Sequence, residues 1–159
     1  MNVLYFGLMI TKDGPKVIEY NSRFGDPETQ VVLPLLEGDL LEIMLATTEG
    51  TLAEVEFGFS KKYACCVVAA SDGYPASYEK GFPVTLPEDR DRIFIAGTKL
   101  DDSGRQVTSG GRVLGVTELG DTLEEAVAKA YETMKNVHFG NKYFRHDIGK
   151  RALEAAQDR

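Results

Sequence analysis

The sequence contains no tryptophan, only two cysteines and two histidines, and no excess of basic residues. None of its apolar runs approaches the roughly 20 residues of a membrane-spanning helix, so a membrane protein is not expected. The formal net charge of −7 argues against general binding to nucleic acid or to anionic membranes, which requires basic patches. A phosphate site would therefore depend on local cations, a bound metal or backbone N–H groups.

The two cysteines, Cys65 and Cys66, are adjacent in a strand-like run. Neighbouring strand residues point to opposite faces, so neither a disulfide nor a shared metal site is expected between them. Because the chain also has no spaced cysteine pairs, its cysteine usage indicates a reducing compartment, the cytoplasm.

The 159 residues are 43% hydrophobic and 27% charged, which suits one core, or one core with a small appendage. The first part of the chain predicts a β-hairpin, with strands over Val3–Ile10 and Lys16–Ser22 joined by a turn at Lys12–Pro15. The first strand is a continuous apolar run, typical of a strand buried on both faces in a larger sheet. We therefore expect the chain to be a piece of a longer protein.

Two helices are predicted after the hairpin. Asp26 suits an N-cap and Pro27 the first helical position, and Pro34 limits the length of this helix. Asp39, with Glu42 three residues later, resembles a capping box and starts a second helix.

From about residue 48 to 60 the helices give way to short strand-like runs separated by turns. Strands are predicted over Tyr63–Ala70, Pro83–Leu86, Arg92–Gly97 and Arg112–Glu118, an amphipathic helix after Thr122, and a last helix over Asp147–Ala156. The pattern predicts an α+β fold, with a small antiparallel sheet packed by helices.

Three polar side chains are predicted to share one face of the second strand. Alternate strand residues point the same way, so Glu19, Asn21 and Arg23 lie together. Val17 belongs to the same predicted face. The α-carbons of Glu19 and Asn21 should be roughly 6.5–7 Å apart. Carboxylate and amide oxygens suit Mg²⁺, which also takes phosphate and water ligands, and a guanidinium can fork onto phosphate oxygens.

Simpler interpretations stay open from these residues alone. A Glu-x-Asn pair on an exposed hairpin is commonly a solvated face, and Asp26-Pro27 is first of all a helix start. Arg23 suits an ordinary ion pair. What favours a site is the combination of an acid, an amide and an arginine that lead directly into a helix start, where free N–H groups favour anions.

The ten residues Glu19–Glu28, E-Y-N-S-R-F-G-D-P-E, closely resemble a segment of the phosphoribosylamine–glycine ligases. Glu19-x-Asn21 at a strand end is similar to the metal-binding pair of the wider ATP-grasp enzymes. Other segments resemble the same ligase family, in the same order along the chain: Gly7–Met9 with Thr11–Gly14, Gln30–Leu36, Ala70–Pro75 with Tyr78–Gly81, Gly97–Thr98, Gly110–Thr117 and Tyr143–Gly149. The chain thus resembles the carboxyl-terminal part of this family, including the end of its ATP-grasp domain.

The resemblance implies an ATP-dependent carbon–nitrogen ligase of purine biosynthesis. Such enzymes activate glycine with ATP as an acyl phosphate, which 5-phosphoribosylamine attacks to give glycinamide ribonucleotide, ADP and phosphate. By the same resemblance, Glu19 and Asn21 hold Mg²⁺ or Mn²⁺ against the ATP phosphates, and Arg23 is catalytic, stabilising the transferring phosphoryl group.

The resemblance also implies that Gly25, Asp26, Pro27 and Glu28 line the substrate side of the pocket, where Asp26 or Glu28 attracts the amino group of glycine. In family terms, residues 1–48 are the terminal hairpin and helices of the ATP-grasp core.

By the same resemblance, residues 49–159 are the carboxyl-terminal domain. The implied partners are glycine, 5-phosphoribosylamine, ATP and the missing amino-terminal part of the enzyme, without which the fragment is expected to be inactive. An exposed apolar hairpin predicts self-association of such a fragment.

Two alternatives remain from the sequence. One is a binding or regulatory module that kept an ATP-grasp tail without catalysis. The other is a different ATP-grasp ligase or carboxylase, because acid-x-Asn pairs recur among them; the Gly25–Glu28 segment directly after Arg23 argues against it. Lys80 and Arg112 are first read as loop and turn residues. His138 and His146 are read as structural or surface residues.

Overall fold

The computed structural model of the protein describes residues 3–157. The chain divides into two compact units, one ending at Ser60 and the other beginning at Lys61. Across residues 3–157, no helix has both the length and the apolar character needed to cross a bilayer.

The first unit consists of a hairpin followed by short helices. Its elements are β1 (Tyr5–Thr11), β2 (Gly14–Asn21), α1 (Thr29–Val32), a 3-10 turn (Leu33–Leu35), β3 (Leu36–Glu37), α2 (Leu40–Glu49), a second 3-10 turn (Leu52–Glu54) and β4 (Gly58–Phe59). β1 pairs with β2 and β3 with β4, both antiparallel.

The predicted hairpin is confirmed. Its turn consists of Lys12 and Asp13 alone, because Pro15 already lies in β2. The Thr11 hydroxyl closes the turn: it donates to the carbonyl of Gly14 at 2.8 Å and accepts from the Asp13 N–H at 3.2 Å. Side-chain bonds of this kind fix a tight turn without help from the rest of the chain.

The second predicted helix is confirmed and its cap is seen. The Asp39 carboxylate accepts from the N–H groups of Leu41 at 2.8 Å and Glu42 at 3.2 Å, which satisfies donors that have no partner inside the helix. α2 ends where Gly50 adopts a left-handed backbone, φ 82°, a conformation that favours glycine.

The second unit is a four-stranded antiparallel sheet with a long helix on it. Its elements are β5 (Tyr63–Ser71), β6 (Ile93–Ile95), β7 (Thr98–Leu100), β8 (Gln106–Thr108), β9 (Arg112–Gly120), α3 (Leu123–Lys135), β10 (Lys142–Tyr143) and α4 (Lys150–Gln157). The strand order is β10-β5-β9-β6, and β7 and β8 form a separate hairpin.

The core of this unit lies between the sheet and α3. Alternate residues of β5, among them Val67 and Ala69, are fully buried, and they pack with Ala126, Ala130 and Met134 of the helix. α3 begins as predicted, since Thr122 Oγ1 accepts from the Glu125 N–H at 3.1 Å. The predicted α+β architecture, an antiparallel sheet packed with helices, is confirmed.

Three details differ from the sequence prediction. Pro83–Leu86 forms no strand but only two isolated bridges, of Pro83 with Val107 and of Thr85 with His138. The last helix begins at Lys150 rather than at Asp147, whose carboxylate binds Arg145 at 2.7 and 2.8 Å. The pairings of β3 with β4 and of β7 with β8 were not predicted.

Candidate functional site

The hairpin of the first unit brings Glu19 and Asn21 together. The amide nitrogen of Asn21 donates to Glu19 Oε1 at 3.0 Å. Their partners on β1 are Gly7 and Tyr5 respectively. The prediction that these two side chains share a face is therefore confirmed. The amide oxygen of Asn21 and the second oxygen of Glu19 are the type of ligand that a hard metal cation prefers.

A β-bulge changes which residues accompany this pair. Gly7 pairs with Glu19 but Leu8 pairs with Val17, so the register shifts by one residue at Ile18. Residues paired directly across antiparallel strands share a face, and neighbours along a strand alternate. Val17 therefore faces away from Glu19, and the prediction that it shares that face was wrong.

The bulge separates the hairpin into a polar and an apolar face. The polar face carries Tyr5, Gly7, Met9, Thr11, Lys16, Glu19 and Asn21. The apolar face carries Phe6, Leu8, Ile10, Val17 and Tyr20. The rings of Phe6 and Tyr20 meet edge to face with centroids 5.1 Å apart, as expected for side chains on one face.

Gly7 leaves room for the Glu19 side chain. A β-carbon at Gly7 would lie 3.0 Å from Cγ of Glu19, closer than such atoms normally approach. The glycine thus allows the carboxylate arm to lie across β1, which fixes its place on the polar face.

Arg23 lies outside the strand. β2 ends at Asn21, so Arg23 is not part of the strand whose alternation was expected to place it beside Glu19 and Asn21. Its Nη1 donates to the carbonyl of Phe24 at 2.9 Å, and the side chain is exposed. The catalytic role of Arg23 stays a prediction.

The segment from Gly25 to Glu28 is a turn rather than the start of a helix. The N–H of Thr29 donates to the carbonyl of Gly25 at 3.1 Å, and the hydroxyl of Thr29 donates to the same oxygen. The N-cap position of α1 is occupied by Glu28 rather than Asp26, and the Asp26 carboxylate accepts from the Gln30 amide at 2.9 Å. The predictions of Asp26 as N-cap and Pro27 as first helical residue were wrong, since α1 begins at Thr29.

Tyr5 joins this turn to the hairpin, and the sequence prediction missed it. Its hydroxyl donates to Glu28 Oε1 at 3.2 Å, across 23 positions of sequence. Burial, followed by the hydrogen bond to Glu28 and the charges of Glu28 and Glu19, raises the pKa of the Tyr5 phenol. Two carboxylates therefore lie near one phenol. No local signal could have revealed this contact, because Tyr5 reads as an ordinary strand residue.

Glu19 and Asn21 suit a metal site whose remaining ligands come from the substrate. Among residues 3–157, no group of three or more His, Cys, Asp or Glu side chains could hold a metal ion. Glu19 and Asn21 alone are two oxygen ligands, and Mg²⁺ sites commonly add phosphate oxygens and water to one or two protein ligands. The residues present thus fit a divalent cation shared with a nucleotide phosphate.

In the second unit, the glycine-rich and histidine positions have structural contacts. A β-carbon at Gly111 would lie 2.0 Å from the ring of Tyr74, so this glycine allows the ring to pack on the backbone. The Lys80 ammonium lies 5.4 Å from the centroid of Tyr78. His138 exchanges backbone hydrogen bonds with Thr85 at 2.8 and 2.9 Å.

Two protein-family models match parts of this chain. A family model described as "Phosphoribosylglycinamide synthetase, C domain" matches residues 64–151, more than half of the chain. The chain belongs to the phosphoribosylglycinamide synthetase family. A second model, "Phosphoribosylglycinamide synthetase, ATP-grasp (A) domain", matches residues 1–29, which include the hairpin with Glu19 and Asn21.

Relatives within the phosphoribosylglycinamide synthetase family are similar over nearly the whole chain. A phosphoribosylamine–glycine ligase of Caldanaerobacter subterraneus is 51% identical over 92% of this chain and 35% of its own length. A bifunctional purine biosynthetic protein of Schizosaccharomyces pombe is 50% identical over 96% of this chain and 20% of its own. The chain thus spans between a fifth and about a third of these relatives.

A solved structure shows the same fold. The crystal structure of a phosphoribosylamine–glycine ligase from Thermotoga maritima superposes with a TM-score of 0.74 at 41% identity. The match covers 91% of this chain and 36% of the other. The resemblance expected from the sequence is therefore confirmed at the level of family and fold.

Proposed function

We propose that these residues act as the carboxyl-terminal part of an ATP-dependent phosphoribosylamine–glycine ligase. The observation that carries the proposal is the hydrogen-bonded pair of Glu19 and Asn21 on the polar face of a hairpin matched by the family's ATP-grasp model. The ligases among the relatives support the same reaction. It joins glycine to 5-phosphoribosylamine and forms glycinamide ribonucleotide, ADP and phosphate.

In this proposal the γ-phosphoryl group of ATP passes to the carboxylate of glycine, and ADP leaves. The amine of phosphoribosylamine then attacks the carbonyl carbon of the glycyl phosphate. A C–N bond forms, the acyl C–O bond breaks to release phosphate, and the attacking nitrogen loses a proton. Mg²⁺ or Mn²⁺, when bound, supplies the charge that offsets the crowded phosphate oxygens. Glu19 and Asn21 would hold that ion.

The remaining site residues are assigned to the substrates. Arg23 would stabilise the transferring phosphoryl group, with its guanidinium turned from the carbonyl of Phe24 to phosphate oxygens. Gly25, Asp26 and Pro27 would line the glycine and amine side together with Glu28. The turn formed by these residues follows the hairpin directly, which supports this assignment.

The proposal includes the domain assignment. Residues 1–48 would be the carboxyl-terminal portion of the ATP-grasp domain and residues 49–159 the carboxyl-terminal domain of the ligase. The amino-terminal part of the same enzyme would be the partner that completes the site, in the cytoplasm. Because the chain matches only 35% of the Caldanaerobacter ligase, we infer that these 159 residues alone do not release ADP.

The metal assignment can be tested in the full-length ligase that carries these residues. Glu19→Gln or Asn21→Ala should lower turnover sharply and raise the Mg²⁺ concentration needed for half-maximal activity, with folding intact, because each removes one oxygen ligand or its charge. Glu37→Gln, which alters an exposed carboxylate of β3, is the matched control and should do neither. Unchanged Mg²⁺ dependence in both site variants would remove the assignment.

A further inference from the structure

Glu28 is tied to the hairpin by a contact that its own turn does not require. The Tyr5 hydroxyl reaches Glu28 Oε1 from β1, and Tyr5 stands directly opposite Asn21 in the strand pairing. A hydrogen bond to a carboxylate is charge-assisted and therefore stronger than one between neutral groups. This bond links the turn to the same two strands that carry the Glu19–Asn21 pair.

The carboxylate of Glu28 is also confined from its other side. A β-carbon at Gly25 would lie 2.5 Å from Glu28 Oε2 and 3.1 Å from Cβ of Glu28. The side chain thus lies against the bare backbone of Gly25 while its first oxygen is held by the phenol. The half-buried carboxylate thus lies between the Tyr5 phenol on one side and the Gly25 backbone on the other.

The two acidic residues of the turn are held differently. Asp26 is exposed and accepts from the side chain of Gln30 in α1. Glu28 is half-buried and is held from the hairpin.

The chemistry of glycine makes this difference matter. A single carbon separates the amino group of glycine from its carboxylate, so the group that binds the ammonium must lie close to the site of phosphoryl transfer. An ammonium in such a site needs a carboxylate partner to offset its desolvation. A carboxylate held beside the metal-binding pair satisfies both conditions.

We infer that Tyr5 is a positioning residue that holds Glu28 beside the Glu19–Asn21 pair, and that Glu28 rather than Asp26 receives the amino group of glycine. The inference rests on the proposed ligase function and makes it more specific. It assigns amino-acid recognition to one carboxylate and gives that carboxylate a partner on β1.

The test compares Tyr5→Phe, Glu28→Gln and Asp26→Asn in the full-length ligase. Tyr5→Phe removes one hydrogen bond and should raise the KM for glycine roughly three- to tenfold, with kcat and the KM for ATP nearly unchanged. Glu28→Gln should raise the KM for glycine further, and more than Asp26→Asn does. Tyr20→Phe, on the apolar face of the same hairpin, is the matched control and should leave the KM for glycine unchanged.

A double variant separates positioning from general damage. If Tyr5 acts through Glu28, adding Tyr5→Phe to Glu28→Gln should change the KM for glycine little beyond Glu28→Gln alone.

The outcomes distinguish this inference from the proposed function. An unchanged KM for glycine in Tyr5→Phe, additive effects in the double variant, or a larger effect from Asp26→Asn would overturn the inference while ligase activity remained. Loss of the Mg²⁺ effect in Glu19→Gln and Asn21→Ala would instead contradict the metal site of the proposed function.

Discussion

At the scale of single residues, the candidate site depends on glycines that give space to acidic side chains. Gly7 lies under the arm of Glu19, and Gly25 lies under the carboxylate of Glu28. Both glycines have backbone conformations open to other residues, so space rather than φ accounts for them. The absence of a β-carbon at each glycine thus leaves the space that the neighbouring glutamate side chain occupies.

The role of Gly7 can be tested with Gly7→Ala. The added β-carbon would lie 3.0 Å from Cγ of Glu19, so the side chain must shift and the Glu19–Asn21 hydrogen bond should weaken. We expect the full-length ligase to need more Mg²⁺ for half-maximal activity. Its melting temperature should be nearly unchanged, because alanine suits a strand at least as well as glycine does. Mg²⁺ titration of initial rates measures the effect.

Gly58→Ala provides the control for this substitution. Gly58 lies in β4 of the same unit, and a β-carbon there would meet no atom within 4 Å. It should leave the Mg²⁺ requirement unchanged. Equal effects of Gly7→Ala and Gly58→Ala would show that contact with Glu19 is not the cause.

At the scale of elements, the loop of the β7–β8 hairpin is organised by one carboxylate. Asp101 Oδ1 accepts from the N–H of Ser103 at 2.9 Å, from its hydroxyl at 2.7 Å and from the N–H of Arg105 at 3.0 Å. Its Oδ2 accepts from Nε of Arg105 at 3.0 Å. These bonds, that of the Ser103 hydroxyl first, hold the pKa of Asp101 well below its usual range.

A lowered pKa predicts how this hairpin responds to acid. The folded loop favours the ionised carboxylate, so its contribution is fully present above the unfolded pKa of about 3.9 and is lost as pH falls below it. We expect the protection factors of the amide protons of residues 101–105, which are exchange rates relative to the intrinsic rate at each pH, to fall in that range, measured by hydrogen exchange and NMR. Asp101→Asn should remove this pH dependence, whereas Asp102→Asn should retain it; acid-insensitive protection factors in the unaltered protein would refute the argument.

The elements that were predicted correctly are those whose signals are local. The Lys12-Asp13 turn, the Asp39 cap of α2 and the Thr122 cap of α3 each depend on residues within a few positions of one another. The buried alternation of β5 is equally local. Such signals can be read along the chain without knowledge of its folding.

The details that were missed depend on partners distant in sequence or on irregular register. The bulge at Ile18 reverses the face of Val17, and strict alternation assumes that no such shift occurs. One exception is local: Asp26 was expected to cap a helix beginning at Pro27, but α1 begins at Thr29, and the Asp26 carboxylate accepts from the Gln30 amide. The contact of Tyr5 with Glu28 spans 23 positions and leaves no pattern in the sequence.

At the scale of the whole molecule, the described residues form two units that differ in how far their apolar side chains are buried. The second unit has a closed core, in which side chains such as Leu114 and Met134 are fully buried. The hairpin of the first unit is a two-stranded sheet whose apolar face is largely exposed: Phe6 is 49% exposed and Ile10 77%. Two-stranded sheets need further cover for stability in water.

That exposed face predicts self-association of this chain in solution. Covering the apolar face of the hairpin removes apolar surface from water, and its unpaired strand edges can pair with another strand. In a purified sample, a second copy of the chain is always available to do both. We expect the sedimentation coefficient to rise with protein concentration. Ile10→Lys should suppress this rise because it places a charge on the apolar face, whereas Met9→Lys, on the polar face next to it, should not. A chain that sediments as a monomer at every concentration, or equal suppression by both variants, would contradict association through this face.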